Sequence, residues 1–221
     1  MFKTAYDSAW QHPGVAWIAA GAFAFVATAL RRPRTARWRW LFAILQVEIV
    51  LDAWLTGART PLSGGAAENA AIAFVVLGDL RFFYLIWGQI ADRRGRALAL
   101  AAAVSLIVPA GTGILHAVSP RFSGNLLYLV YEAAMVVLVL AVARIVGRGD
   151  ASPAVRAYVR RVVWFELTQY LAWVVADALI LSGDGGAVAE AGWALRMIPN
   201  AMYYAAFAPW ATWTAPDEAR G

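Results

Sequence analysis

The sequence predicts an all-α integral membrane protein with seven transmembrane helices in a single domain spanning residues 1–221. Of the 221 residues, 62% are hydrophobic and only 15% are charged, and the mean hydropathy is +0.59. Soluble domains carry roughly 25% charged residues, and one domain of this size has no core large enough to hide such an apolar excess. Eleven tryptophans add the side chains typical of membrane interfaces.

Seven apolar segments of membrane-spanning length are separated by short polar breaks. A transmembrane helix needs about 20 mostly apolar residues. The first segment is a span rather than a cleaved signal peptide, because Asp7 and His12 precede it and five arginines follow it within residues 31–39. In chain order, spans 1 to 7 cover residues 13–30, 40–56, 70–90, 98–118, 126–145, 162–181 and 189–213.

The loops predict the orientation. Fourteen of the nineteen Lys and Arg residues lie in the loops after spans 1, 3 and 5 or in the C-terminal tail, and three lie on the other side. Because basic loops stay cytoplasmic, we expect the N-terminus outside and the C-terminus inside, in a bacterial cytoplasmic (inner) membrane. The net charge of +5 then reflects topology, and we expect no nucleic acid partner.

A short internal similarity predicts a parallel repeat. Span 2 ends in residues 50–57 and span 6 in residues 175–183, and each places an Asp, Asp52 or Asp177, about a turn and a half before a Gly. Pairing spans 2 and 3 with spans 6 and 7 leaves span 4 as a connector. This arrangement resembles that of the sugar-exporting SWEET transporters, with three helices, a linker helix and three helices. The family's characteristic prolines are absent from spans 5 and 6, so no family is assigned.

Ionisable residues inside the spans are the main functional signal. Each charge at mid-bilayer costs a few kcal/mol or more unless it is paired, neutralised or hydrated. Six carboxyls face at most three cationic side chains, Arg81, Arg196 and His116, so we expect some carboxyls to be protonated, to line water or to hold a cation. The six are Glu48, Asp52, Asp79, Glu132, Glu166 and Asp177.

Two spans carry polar and aromatic stripes at helical spacing, which we expect to turn inward because lipid cannot solvate them. Their depths predict a pocket open to the outer side, with its floor near Asp79 and Asn200. Prolines in spans 4 and 7 are expected to bend the helices around it. The stripes are Glu166, Gln169, Tyr170, Trp173 and Asp177 in span 6, and Arg196, Asn200, Tyr203, Tyr204 and Phe207 in span 7. The candidate ligand-binding or proton-coupling residues are Glu48, Asp52, Asp79, Arg81, Glu132, Glu166, Gln169, Asp177, Arg196, Asn200 and Tyr203.

Each feature also has a structural interpretation. Arg196 with Asp177 or Glu132 would serve equally as an ion pair that fixes helix register. The aromatic side chains would serve as packing or as an interfacial belt, for which Trp10, Trp38, Trp40, Trp210 and Trp213 are the candidates. His116 would be a satisfied polar residue, or an axial haem ligand together with His12.

The composition excludes several cofactors, and no cofactor or metal is predicted. The chain has no cysteine, so disulfides, thiolate metal sites and iron–sulfur clusters are excluded. Retinal bound as a Schiff base needs a lysine in a helix, and the single lysine, Lys3, lies in the N-terminal tail.

Three functions stay open. The preferred one is a proton- or cation-coupled transporter, or a binder, of a small polar or cationic solute. A membrane-embedded enzyme acting on a lipid or isoprenoid is less favoured, because the chain has no aspartate-rich motif, no Ser nucleophile with a placed His and no His cluster. The third is a non-catalytic receptor or subunit, with a homo-oligomer or a larger membrane complex as its setting.

Overall fold

In a computed structural model of the chain, the described residues are 1–11, 14–31, 36–91, 93–119, 121–122, 124–146, 151–183 and 185–216. Every regular element among them is helical, which confirms the all-α class for this part of the chain. The elements are α1 (Phe2–Tyr6), α2 (Val15–Arg31), α3 (Ala36–Leu55), α4 (Gly65–Ile90), α5 (Arg94–Ser105), α6 (Ile107–Val118), α7 (Gly124–Val146), α8 (Pro153–Ser182), α9 (Ala187–Ala201), a π-helical segment (Met202–Ala206) and α10 (Phe207–Thr214).

Four helical stretches of the described chain are long and apolar enough to cross a membrane. α2 is apolar but shorter, with 17 residues. Helices of this length and composition indicate an integral membrane protein. The four stretches are Gly65–Ile90, Arg94–Val118, Gly124–Val146 and Pro153–Ser182.

Many large apolar side chains lie on the surface and several charged side chains are buried, which is unusual for a soluble protein. At most 39% of the residues in the most apolar part of each of these four stretches are buried, and large side chains such as Phe23 and Val137 are exposed. Asp79 and Asp177, by contrast, are 1% and 0% exposed. Such a surface is tolerated in lipid, whereas large exposed apolar patches are rare on soluble monomers.

α8 begins nine residues before the predicted start of span 6 at residue 162. The Ser152 Oγ caps the helix by accepting from the Val155 N–H at 3.3 Å, and Pro153 occupies the first turn, where its missing N–H costs nothing. The helix is therefore longer than predicted span 6, because the capping residues decide where a helix begins. The start of the membrane span at residue 162 stays a prediction.

The segment predicted as span 4 is two helices, α5 and α6, separated by Leu106 alone. Pro109 stands in the first turn of α6. Because proline has no N–H, the carbonyl four residues earlier, that of Ser105, loses its helical donor. The interruption therefore lies where the backbone hydrogen-bond ladder is already broken.

The segment predicted as span 7 is also interrupted, by the π-helical segment between α9 and α10. Its register shift is visible in the Phe207 N–H, which donates to the carbonyl of Met202, five residues back. Pro199 lies inside α9 and Pro209 inside α10, so the wider turn falls between two positions that cannot donate to the ladder.

The chain forms two compact units. Unit 1 contains residues 1–2 and 76–199, and in it α7 packs along α8 and α6 packs on α7. Unit 2 contains residues 3–75 and 200–221, and in it α2 packs on α3, α10 and the π-helical segment. The prediction of a single domain stays a prediction.

Two helices of unit 1 approach each other closely at a glycine. A Cβ atom on Gly192 of α9 would lie 2.7 Å from the Ala176 carbonyl oxygen and 2.8 Å from the Ile180 Cγ1 of α8. Small residues permit this kind of backbone approach between membrane helices. Gly192 therefore sets the distance between α8 and α9.

Gly192→Ala should lower the free energy of unfolding by about 1–3 kcal/mol, because the added methyl forces the α9 backbone away from α8. Thermal unfolding in mild detergent, followed by tryptophan fluorescence, would measure the change. Gly113→Ala is the matched control, since nothing lies within 4 Å of a Cβ atom at that helical glycine, and alanine favours a helix by roughly 0.5–1 kcal/mol over glycine. Equal melting temperatures for the two variants would contradict the close approach.

Candidate functional site

The predicted site residues divide between the two units. Unit 2 contains Glu48, Asp52, Asn200 and Tyr203, and unit 1 contains the other seven. The seven in unit 1 are Asp79, Arg81, Glu132, Glu166, Gln169, Asp177 and Arg196.

Asp79 of α4 lies at the centre of the first cluster in unit 1. Its Oδ1 accepts a hydrogen bond from the Tyr170 hydroxyl of α8 at 2.6 Å, and its Oδ2 accepts one from the Tyr131 hydroxyl of α7. Both carboxyl oxygens are thus held by neutral donors from two other helices. Asp79 is 1% exposed, so its environment is the protein interior.

Arg81 and Glu166 extend this cluster. Arg81, two residues after Asp79 on α4, interacts electrostatically with both Asp79 and Glu166. All three side chains are buried. Two carboxyls therefore share the field of one guanidinium, and we call Asp79, Arg81, Tyr131, Glu166 and Tyr170 the Asp79 cluster.

Arg196 of α9 organises the second cluster. Its Nη1 donates to the Asp177 Oδ1 of α8, and its Nη2 lies 3.9 Å from the Glu132 Oε1 of α7. The guanidinium also lies over the Tyr128 ring, 5.5 Å from the centroid, in a cation–π arrangement. Here again one guanidinium faces two buried carboxyls, and we call these four residues the Arg196 cluster.

Aromatic rings run from the Asp79 cluster along α8. The Tyr131 and Tyr170 centroids are 6.4 Å apart, and the Tyr170 and Trp173 centroids are 5.5 Å apart. Glu166 and Asp177 are eleven residues apart, about 16 Å along the helix axis. The α8 stripe thus passes from Glu166, through Tyr170, which donates to Asp79, to the ion pair at Asp177.

Formal charge within this interior is unbalanced. Among the described residues of unit 1, four buried carboxyls, Asp79, Glu132, Glu166 and Asp177, accompany two buried arginines, Arg81 and Arg196. One oxygen of each of Glu132, Glu166 and Asp177, and the amide oxygen of Gln169, is buried without a hydrogen bond from the described residues. These oxygens have spare capacity to accept a hydrogen bond or contact a cation.

In unit 2, Asp52 and Asn200 each take part in a side-chain hydrogen bond. Asp52 is buried, and its Oδ1 accepts from the Thr56 hydroxyl at 3.0 Å, while Glu48 is half-buried one turn earlier. The Asn200 Nδ2 donates to the Tyr6 hydroxyl at 3.4 Å. The Tyr203 and Tyr204 rings meet edge to face at 4.7 Å.

Tyr128 and Tyr131, which contact Arg196 and Asp79, are not among the residues that the sequence predicts for the site. A signal existed, because Tyr128, Tyr131 and Glu132 have the same helical spacing as the stripes in spans 6 and 7. The signal is weak, because a tyrosine in an apolar helix is more often a packing or interfacial residue than a site residue.

One histidine and several tryptophans with alternative predicted roles also lie among the described residues. The His116 Nδ1 donates to the Phe122 carbonyl oxygen at 2.7 Å, which makes His116 a satisfied polar side chain, while His12 lies outside the described residues. Trp38, predicted as part of the interfacial belt, is 3% exposed and stacks on Phe42 with centroids 5.1 Å apart. Trp10 and Trp40 are exposed, as a belt requires.

Two cavities lie away from the candidate residues. One, of about 520 Å³, is between the end of α7 and the start of α8, and the other, of about 430 Å³, lies beside α2 and α10. No predicted site residue lines either cavity, so the outward-facing pocket stays a prediction. Within the described residues, no group of three or more His, Asp or Glu side chains is placed to hold a metal ion.

Comparison with known proteins gives no match. The chain fits no family model, and neither a curated protein nor a solved structure is significantly similar to it.

Asp177→Asn should lower the free energy of unfolding by about 3–5 kcal/mol, because it removes the negative charge in direct contact with the buried Arg196 guanidinium. Arg196→Gln should cost a similar amount, and the double variant should cost clearly less than the sum of the two. Chemical denaturation of the four proteins in mixed micelles gives the coupling energy.

Asp7→Asn is the control for this cycle, because Asp7 pairs with Lys3 at the surface, where an ion pair adds little stability. Strictly additive effects of Asp177→Asn and Arg196→Gln would show that the two side chains do not act as a pair.

Proposed function

We propose that this protein is a proton- or cation-coupled transporter, or a binder, of a small cationic or polar solute, acting in a bacterial cytoplasmic membrane. The observation that supports it is the pairing of two carboxyls with one arginine in each cluster of unit 1. In a membrane interior each surplus negative charge needs a proton or a bound cation.

We assign to Asp79 the carboxyl that binds and releases the coupling proton or cation. Its two hydrogen bonds come from neutral hydroxyls, which can reorient when a proton or cation arrives. Asp177, in contrast, is in direct contact with a guanidinium. The Asp79 cluster is therefore suited to binding and release, and the Arg196 cluster to holding α7, α8 and α9 in register.

The direct Arg196–Asp177 pair also favours a second function, that of a non-catalytic subunit whose buried charges are structural. The two functions differ in what the Asp79 carboxyl does. In a structural subunit it only joins α4 to α7 and α8, whereas in a transporter its charge changes during the cycle.

The proposal includes seven spans, with the N-terminus outside and the C-terminus in the cytoplasm. Each predicted span overlaps one or more helical segments of the described chain, and the arginines after spans 1, 3 and 5 support the orientation.

Reporter fusions should place the C-terminus in the cytoplasm, because basic loops resist translocation. An alkaline phosphatase fused after Gly221 should be inactive, and green fluorescent protein at the same position should fluoresce. As an internal control, phosphatase fused after Ser63, in the loop predicted to face outward, should be active. Phosphatase activity at the C-terminus would contradict the topology.

Asp79→Asn should abolish solute-coupled proton movement while the protein still folds, because asparagine keeps two hydrogen-bonding atoms but cannot carry the charge. Proteoliposomes containing a pH-sensitive dye would be exposed to choline, guanidinium and a neutral sugar in turn. We expect a proton flux with a cationic solute in the unsubstituted protein and none in Asp79→Asn.

Thr168→Ala is the control on the same helix as Tyr170. Thr168 is exposed, and its hydroxyl bonds only the Trp164 carbonyl among the described residues, so flux should persist. Flux in Asp79→Asn equal to that of the unsubstituted protein would remove Asp79 from the coupling role. Loss of thermal stability in Asp79→Asn, with no flux in either protein, would favour the structural subunit.

A further inference from the structure

The groove between the end of α7 and the start of α8 has the two-part chemistry of an amphiphile. Its volume is about 520 Å³, within the range of small-molecule sites. At one end, Arg156 and Arg160 line it, and the rest of the described lining is apolar apart from Trp164, with no Asp or Glu. All of these residues belong to unit 1.

The two arginines lie on one face of α8 because they are four residues apart. Trp164 continues that face one turn further and is 62% exposed. Basic side chains followed by an exposed tryptophan are typical of the level at which lipid headgroups meet the acyl chains. The Ser152 cap and Pro153 fix where α8 starts, so they also fix the position of this face.

The apolar wall continues from the arginines into the span. Leu140 and Ala143 of α7 and Val163 and Leu167 of α8 line this part of the groove. From Arg160 to Leu167 the helix rises about 10 Å, which is long enough to contact the part of an acyl chain nearest its headgroup. Along α8, the basic end of the groove is therefore followed by its apolar trough, in the same order as the headgroup and acyl chain of a phospholipid.

We infer that this groove binds an anionic phospholipid, with its phosphate at Arg156 and Arg160 and one acyl chain along the α7–α8 trough. Basic sites between membrane helices on the cytoplasmic side are suited to anionic headgroups, and the arginine fork matches phosphate geometry. The site is separate from the Asp79 and Arg196 clusters, none of whose residues lines it.

The test uses the full chain, purified in mild detergent and analysed by native mass spectrometry with dioleoyl phosphatidylglycerol or dioleoyl phosphatidylcholine added. The unsubstituted protein should retain phosphatidylglycerol in preference to phosphatidylcholine. Arg160→Gln should weaken phosphatidylglycerol binding about fivefold, the factor expected for losing one basic residue beside an anionic lipid. Arg160 is chosen because Arg156 also donates to the Ala151 carbonyl, so that substituting it would disturb the start of α8.

Arg161→Gln is the matched control, since Arg161 is exposed on the same helix but does not line the groove. It should leave phosphatidylglycerol binding unchanged. Equal losses in Arg160→Gln and Arg161→Gln would overturn the proposal in favour of general attraction between charges.

The acyl-chain half is tested separately by filling the trough. Ala143→Phe should abolish phosphatidylglycerol retention although both arginines remain, and Ala157→Leu serves the same purpose if the first variant unfolds. Retention of the lipid by folded groove-filling variants, or its displacement by equimolar inorganic phosphate, would show an anion site without an acyl-chain groove and would overturn the assignment.

Discussion

A charged side chain at the depth of a lipid bilayer has to find its partner within the protein, because hydrocarbon offers neither hydrogen bonds nor counter-ions. In unit 1 this constraint connects four helices. Asp79 of α4 accepts hydrogen bonds from tyrosine hydroxyls of α7 and α8. Arg196 of α9 forms ion pairs with carboxylates of α8 and α7. Changing the rotation of any one of these helices would leave a charge or a hydroxyl unpaired.

α8 is the element on which most of these contacts meet. Its buried stripe supplies Glu166, Tyr170 and Asp177 to the two clusters, and its packing against α7 brings Tyr131 and Glu132 to them. The opposite chemistry appears at its first turns, where the arginines are exposed. One helix thus presents a polar face to the protein interior and exposed basic side chains at its start.

The interrupted helices have a common physical cause. Proline removes a backbone donor, and the breaks at Leu106 and at residues 202–206 both lie beside prolines. In unit 2 the wider π-helical turn also brings the backbone of Tyr204 and Ala205 against α2, where Gly21 leaves room for it; a Cβ atom there would lie 2.6 Å from the Tyr204 carbonyl oxygen. The irregular backbone is accommodated because a residue without a side chain faces it.

The sequence by itself determined the helical class, the apolar segments and the burial of the span 6 stripe, because helical periodicity and the cost of charge in lipid act on residues close together in the chain. It also identified the buried carboxyls and arginines, and it named Asp177 and Glu132 as alternative partners of Arg196, both of which contact the guanidinium. It did not determine which of the two pairs directly, nor that hydroxyls hold Asp79. Tyr131 and Tyr170 lie 52 and 91 residues from Asp79, and their meeting depends on how α7 and α8 are rotated about their axes. Only the tertiary structure decided that Asp177 pairs directly with Arg196 while Asp79 is held by neutral hydroxyls, since packing sets the rotation of each helix and spacing along the chain does not.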